Sequence, residues 1–216
     1  MNNVHKNESD RMTTTAARRE RQRIQLIDAA ERAIAERGLA GLKARELAQE
    51  IGCALGAIYN LVADMDELVL RVGSRTLTRL DAALSAAEGK DAPASAGEAA
   101  DRLVAVALAY CAFARDNLQL WRVLFEHRMT EGAIVPDWAV SEQMTMFRHI
   151  LEPLSVLVPD RAEPERMLMS RTLFSAVHGV VAIGLEEKLI AVPRRDLDRQ
   201  IEGLVRLVCR GLAVPA

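Results

Sequence analysis

Aromatic residues make up only 4% of this chain, with two tryptophans and two tyrosines in 216 residues. Alanine and leucine abound instead, and proline and glycine fall mostly between apolar-periodic segments. That usage argues for an all-helical protein. Cysteine is equally sparse. Cys53, Cys111 and Cys209 are far apart, odd in number and without metal-ligand spacing, which excludes a disulfide framework and a zinc site. They read as buried small hydrophobes in a reducing compartment. Long apolar runs are missing too. The longest, Leu103 to Ala114, lies between Arg102 and Arg115 and is too short to span a bilayer. The N-terminus is polar and carries no signal peptide. The expectation is a soluble, cytoplasmic protein with no membrane partner. Nucleophile elbow, phosphate loop, zinc set and paired carboxylates are all absent, so the chain reads as no enzyme, with no cofactor and no metal. The four histidines share no spacing. His127 has no second histidine one turn away, and His149 near Glu152 reads as a pair on a solvated face. A strong excess of positive charge is lacking as well, since the net charge is −2.

What is present is a pattern between Leu42 and Tyr59. Two short helical patterns meet at a glycine. Ala48 is small where two steeply crossing helices come closest. Gly52 tolerates the positive φ of a sharp turn. Ile58 is bulky and apolar one turn into the second helix, with Leu47 and Ile51 facing it. This is the spacing of a helix-turn-helix, whose second helix enters a DNA major groove. An αα-corner in a plain helical bundle is the alternative. The charge distribution favours DNA. Residues 1–60 carry ten Lys/Arg against eight Asp/Glu, and Arg11, Arg18, Arg19, Arg21 and Arg23 are opposed locally only by Glu20.

Taken in order, residues 1–17 read as a disordered arm. A helix follows from about Arg18 to Arg37, with Leu26, Ile27, Ala30, Ala33 and Ile34 on its apolar face and Gly38 ending it. The two short helices are placed at Lys43–Ile51 and Ala54–Leu61. Asp64 is a candidate N-cap for a long helix from Met65 to about Ala87. A linker at 88–95 leads to helices at about Ala96–Arg115 and Leu118–His127, then a loop from Thr130 to Pro136. One helix spans about Asp137–Leu157, bent near Pro153. The last two are placed at Glu165–Ile190 and Arg194–Leu212, which makes nine. The domain expectation is a DNA-binding part at 18–70 and a helical effector-binding and dimerisation part at 71–216.

Residues 20–70 resemble the DNA-binding domain of the TetR/AcrR family of transcriptional regulators. The matching residues are Asp28-Ala29-Ala30, Ala35-Glu36-Arg37-Gly38, Arg45-Glu46-Leu47-Ala48, Ile51-Gly52, Gly56, Ile58-Tyr59 and Leu68. The resemblance implies a three-helix head, a connecting fourth helix and a larger helical ligand-binding and dimerisation domain. Val177-His178-Gly179 looks like the signature of a Trp-His-Gly subclass of C-terminal domain, with valine in place of tryptophan. The chain departs from the family in the head. Leu42 and Lys43 stand where a hydroxyl usually opens the second helix. Ala54 replaces the serine that opens the recognition helix, Leu55 a Lys or Arg, Leu61 a His or Tyr, and Val62 a phenylalanine. Asn60 is then the one strong candidate for adenine readout, with Ala54, Leu55 and Ala57 against thymine methyls. Lys43, Arg45, Tyr59 and the Arg18–Arg23 cluster, above all Arg18 and Arg19, would bind phosphate. An A·T-rich operator is expected.

Family regulators respond to a small molecule held by the middle helices. Tyr110, Cys111, Phe113, Trp121, Phe125, Met144, Phe147, Met167, Phe174 and His178 are the candidate lining residues, and an apolar or amphipathic effector would suit them. Plain core is the competing reading of the apolar members. His178 beside Gly179 also suits a structural histidine at a close helix contact. Glu165–Ile190 carries two apolar stripes. One is Met167, Phe174, Val177, Val181 and Leu185; the other is Leu173, Ala176, Val180 and Ile183. The final helix carries Leu197, Ile201, Leu204, Val208 and Leu212. A helix apolar on two faces is covered on two sides, so these helices read as half of a homodimer interface, with cover of both sides inside one subunit as the competing reading. The reading is a DNA-binding regulator, a repressor by family default, bound to a palindromic operator as a homodimer. A helical protein-binding adaptor is the alternative.

Overall fold

The computed structural model describes residues 3–187 and 190–212, with side chains from Ala16 onward. Its regular elements are helices: α1 Asn3–Arg37, α2 Ala44–Glu50, α3 Met65–Glu88, α4 Ala96–Asp116, α5 Leu118–Glu126, α6 Asp137–Thr145, α7 Arg148–Leu157, α8 Glu163–Leu185 and α9 Leu197–Leu212. Short 3-10 turns lie at Leu39–Gly41, Leu55–Asn60 and Arg194–Asp196. The all-α expectation holds. The chain forms two compact units. One comprises Met1–Thr76 with Gln119–Val135, the other Leu77–Leu118 with Pro136–Ala216.

In the first unit, α1 is longer than the sequence pattern suggests. Residues 3–17, expected as a disordered arm, continue the same helix. No glycine or proline interrupts the chain before Gly38, so nothing in the backbone stops it. The side chain of Arg11 lies outside the described residues. Gly38 ends the helix at φ 69, its N–H bonded to the carbonyl of Ile34 at 2.8 Å. Leu26, Ile34, Leu47, Ile58, Leu68 and Val72 form the centre of the core. Leu120 and Val123 of α5 join it from far along the chain. The same segment is fastened by polar contacts. Asp66 accepts a hydrogen bond from the backbone N–H of Thr130 at 2.9 Å and faces His127 Nε2 at 3.3 Å. Asp64 caps α3 as expected, accepting from the Glu67 N–H at 2.7 Å. Glu67 reaches back to the Ala63 N–H at 2.7 Å. This reciprocal box contributes about 1 kcal/mol, and Ser95 and Glu98 repeat it at α4.

In the second unit, α4 packs against α7, α8 and α9. It buries Leu103, Val106, Ala107, Tyr110, Cys111 and Ala114. The core stripe of α9 is Leu197, Ile201, Val205 and Cys209, not the expected Leu197, Ile201, Leu204, Val208 and Leu212. Ion pairs to α4 accompany the rotation. Arg115 bonds Asp198 at 2.6 Å and Arg206 bonds Asp101 at 2.8 Å, on the flank of α9 that lies beside α4. Leu204 and Val208 are then only half-buried, and Leu207 is 62% exposed.

The expected single helix over 137–157 is two. Its break is not at Pro153, which sits buried inside α7. It falls at Met146–Phe147, where bonds tighten to a 3-10 pattern: Met146 N–H to Gln143 O at 3.3 Å and Phe147 N–H to Met144 O at 3.1 Å. Pro153 cannot donate to the carbonyl of His149 and crowds it, and the irregular turn lies just N-terminal to that carbonyl. Helix α8 ends at Leu185 rather than Ile190, and Glu187 follows at φ 52. Residues 188–189, included in the expected interface, lie outside the described residues.

Candidate functional site

The turn after α2 is built as its residue types require. Gly52 stands at φ 68. The Cys53 N–H returns to the carbonyl of Ala48 at 2.9 Å. Ala48 and Ile58 are 3% and 0% exposed, so the second arm is anchored from below. That arm is a 3-10 turn over Leu55–Asn60 rather than the expected α-helix over 54–61. The Ala57 N–H bonds Ala54 O at 2.8 Å and the Leu61 N–H bonds Ile58 O at 2.8 Å, both three residues back. Ala54 has no side-chain oxygen to cap the segment, which removes the usual brace for an α-helical first turn.

The candidate DNA-contacting side chains are accessible. Arg18, Arg19, Lys43, Arg45, Ala54, Leu55, Tyr59 and Asn60 are exposed, and Ala57 is half-buried. Leu61 and Val62 are core. One acidic neighbour escaped the sequence reading. Glu46 pairs with Lys43 at 3.1 Å and with Arg37 at 3.2 Å. A phosphate reaching Lys43 therefore competes with this carboxylate. In the basic cluster, Arg23 is held by Glu20 at 3.0 Å.

In the second unit, four of the candidate effector residues meet. Phe174 lies edge-on to Tyr110 with ring centroids 5.8 Å apart and to Phe147 at 5.7 Å. Its ring is 5.5 Å from that of His178. The Tyr110 hydroxyl shares a 2.7 Å hydrogen bond with His178 Nδ1. Burial pushes the His178 pKa down, so this ring works as a neutral hydrogen-bonding group. The close helix contact expected at Gly179 is not there, because a Cβ at that position would meet nothing within 4 Å. Gly184 makes the close approach instead, since a Cβ there would run into a methyl of Leu197. Phe113 and Cys111 are buried in α4, Met167 is half-buried in α8, and Met144 receives Arg171 against its sulfur at 3.6 Å. Trp121 and Phe125 pair with each other at 5.4 Å on α5, a helix that lies in the first unit from Gln119 onward.

His149 is the clearest correction. It is 1% exposed, not on a solvated face. Its Nδ1 lies 2.7 Å from Glu88 and its Nε2 2.9 Å from Asp81. Glu152 engages Arg102 instead, at 3.4 Å. A signal was present: His149, Pro153 and Leu157 recur every fourth residue, and all three are buried. Burial raises the pKa of Cys111 and Cys209, leaving unreactive thiols. Cys53, expected to be buried, is half-exposed. Among the described residues no group of three or more His, Cys, Asp or Glu could hold a metal.

Comparison with known proteins agrees with this architecture. A family model described as bacterial regulatory proteins, tetR family, matches residues 26–72. A second, described as tetracyclin repressor-like, C-terminal domain, matches residues 103–208. No curated protein matches the chain. Among solved structures, a protein of unknown function from Rhodococcus sp. RHA1 is similar at TM-score 0.68 and 24% identity, covering 89% of this chain and 96% of its own. The TetR family transcriptional regulator PfmR from Thermus thermophilus is similar at TM-score 0.56 and 16% identity, covering 86% and 97%. A TetR transcriptional regulator from Rhodococcus sp. RHA1 gives 0.54 and 19%, covering 88% and 96%. At these identities the likeness is one of fold.

Proposed function

The chain belongs to the TetR family of bacterial regulatory proteins, and from that premise we propose that it is a ligand-responsive repressor. It binds a palindromic, A·T-rich operator as a homodimer in the cytoplasm. The observation that carries this reading is the exposed turn Ala54–Asn60, held out from the core by Ala48, Gly52 and Ile58. Asn60 reads adenine, while Ala54, Leu55 and Ala57 meet thymine methyls. Arg18, Arg19, Lys43, Arg45 and Tyr59 hold phosphates and fix the register without reading sequence.

The second copy is supported by α8 and α9. On length and composition α8 could cross a membrane; it packs on α4, α7 and α9 instead, and only a third of its most apolar stretch is buried there, which leaves apolar surface for a second copy to cover. Outward it offers Leu168 and Ile183, 66% and 46% exposed, and α9 offers Leu207. Ser175, Ala176 and Gly179 lie along α8 between the two large residues, small enough for close approach by a partner helix. Two copies place two recognition turns on two half-sites, which supplies useful affinity. Effector binding is supported by the Tyr110–Phe147–Phe174–His178 cluster, whose rings and one polar pair suit an apolar or amphipathic molecule. The effector acts by binding better to the conformation that does not fit DNA.

Selection from a random duplex library tests the reading. The expected result is enrichment of one A·T-rich inverted repeat bound by two subunits. Failure to enrich any sequence favours the second reading, an adaptor that binds proteins through the exposed Leu55 and Tyr59 of its short recognition turn.

A further inference from the structure

We propose that His149 is a proton-closed latch that fixes the C-terminal half of α3 to α7. A neutral imidazole has one N–H and one bare nitrogen. Both nitrogens of His149 face carboxylate oxygens, Nδ1 toward Glu88 at 2.7 Å and Nε2 toward Asp81 at 2.9 Å. A carboxylate has no proton to give, so both contacts are hydrogen bonds only when the ring carries two protons. The imidazolium then donates to residues two turns apart on α3 and spans that face of the helix. Loss of one proton turns a charge-assisted bond into a lone pair pressed against a carboxylate, in a site where the ring is 1% exposed.

The surrounding charges fit the doubly protonated ring. On α7, Arg148 bonds Asp81 at 2.6 Å and Ser85 at 3.3 Å. Asp81, Glu88, Arg148 and the histidinium together sum to zero charge. Glu152, one turn along α7, is occupied by Arg102 of α4, which also donates to the carbonyl of Asp91. From α8, Arg166 is taken up by the carbonyls of Pro159 and Arg161, and Arg171 by Met144. The latch is closed when the ring holds both protons between the two carboxylates, and open when it gives one up.

Position gives the latch a use. Phe147, two residues before His149, packs on Phe174 of the aromatic cluster at 5.7 Å. The N-terminus of α7 thus touches the cluster on one side and α3 on the other, and α3 begins directly behind the recognition turn. A ligand that shifts Phe147 pulls on the latch, so release from DNA becomes pH-dependent. That consequence rests on the effector reading above; the latch does not.

The test uses the full-length protein and no DNA. Protein labelled with 15N-histidine is titrated by NMR, with His149→Gln assigning the signal by its loss. The ring should carry protons on both nitrogens at about pH 7 and lose one only at higher pH. Over the same rise to about pH 9 the wild type should lose about 4 °C of Tm more than His149→Gln. A bare ring nitrogen at about pH 7, or identical pH slopes for the two proteins, overturns the proposal. If His149→Gln does not fold, Glu88→Gln decides: removing one carboxylate should move the ring titration to lower pH, and an unmoved titration overturns the latch. A failed operator selection with an intact titration would refute the regulator reading and leave the latch standing.

Discussion

At the scale of single residues, two glycines separate backbone from packing effects. Gly52 sits at φ 68 with nothing within 4 Å of its Cβ position. Gly52→Ala should cost about 1 kcal/mol, from left-handed strain alone. Gly184 lies inside α8, and a Cβ there would collide with the Leu197 side chain. Gly184→Ala should cost about 1–3 kcal/mol through overpacking, and Leu197→Ala should relieve part of it. Urea denaturation of the two single variants and the double variant checks both; additive effects at 184 and 197 would contradict the packing account. Glu46 supplies a third residue-scale expectation. Glu46→Gln leaves Lys43 without its carboxylate partner, so DNA affinity should rise severalfold at low salt, measured by anisotropy. Weaker binding would mean that Glu46 positions the lysine rather than competing for it. His178 carries the pH expectation. Its pKa is lowered by burial, so the unfolded chain takes up a proton first. Stability from that site is lost as pH falls below the ordinary histidine range, about 6.5.

At the scale of elements, the hinge between α2 and the recognition turn was legible because its demands are local. A small residue, a positive φ and a buried anchor each restrict residue type at one position. The cap at Asp64 is local for the same reason. What was not legible depends on partners distant in sequence. His149 looked exposed because its partners, Asp81 and Glu88, stand on another helix. The stripe of α9 was misplaced by one flank because the face it buries, Leu197, Ile201, Val205 and Cys209, is set by packing against the distant α4 and α8. The recognition segment looked α-helical by periodicity, and Ala54 was read for contact with a thymine methyl rather than for the brace it cannot supply. Restoring the hydroxyl should therefore act on structure as well as binding. Ala54→Ser should favour the α-helical turn and stabilise the head by about 1 kcal/mol, read from hydrogen exchange of the amides following it. Unchanged exchange would mean that the 3-10 form has another cause.

At the scale of the whole molecule, the sequence showed a helical head and a helical body, but not that residues 119–135 fold with the head. Leu120 and Val123 in the head core and Asp66 on Thr130 join stretches that no sequence window compares. Assembly belongs to this scale too. Leu207→Glu places a charge on the outward face of α9 and should convert a dimer to a monomer in sedimentation, with a Tm that no longer rises with protein concentration. An unaltered dimer would move the interface elsewhere. On DNA, replacing Arg18 and Arg19 by alanine removes two cations from each of two subunits and should reduce the slope of log affinity against log salt by about 4 for the dimer; an unaltered slope would remove α1 from the interface.

The central claim is that the turn held out by Ala48, Gly52 and Ile58 reads DNA. It is tested most directly by titrating the purified protein with duplexes from its own upstream intergenic region, by fluorescence anisotropy at two salt concentrations. The account predicts saturable binding with two subunits per site, tighter than to random duplex and weakened by Asn60→Ala. Binding no tighter than to random DNA across the flanking segments would contradict it.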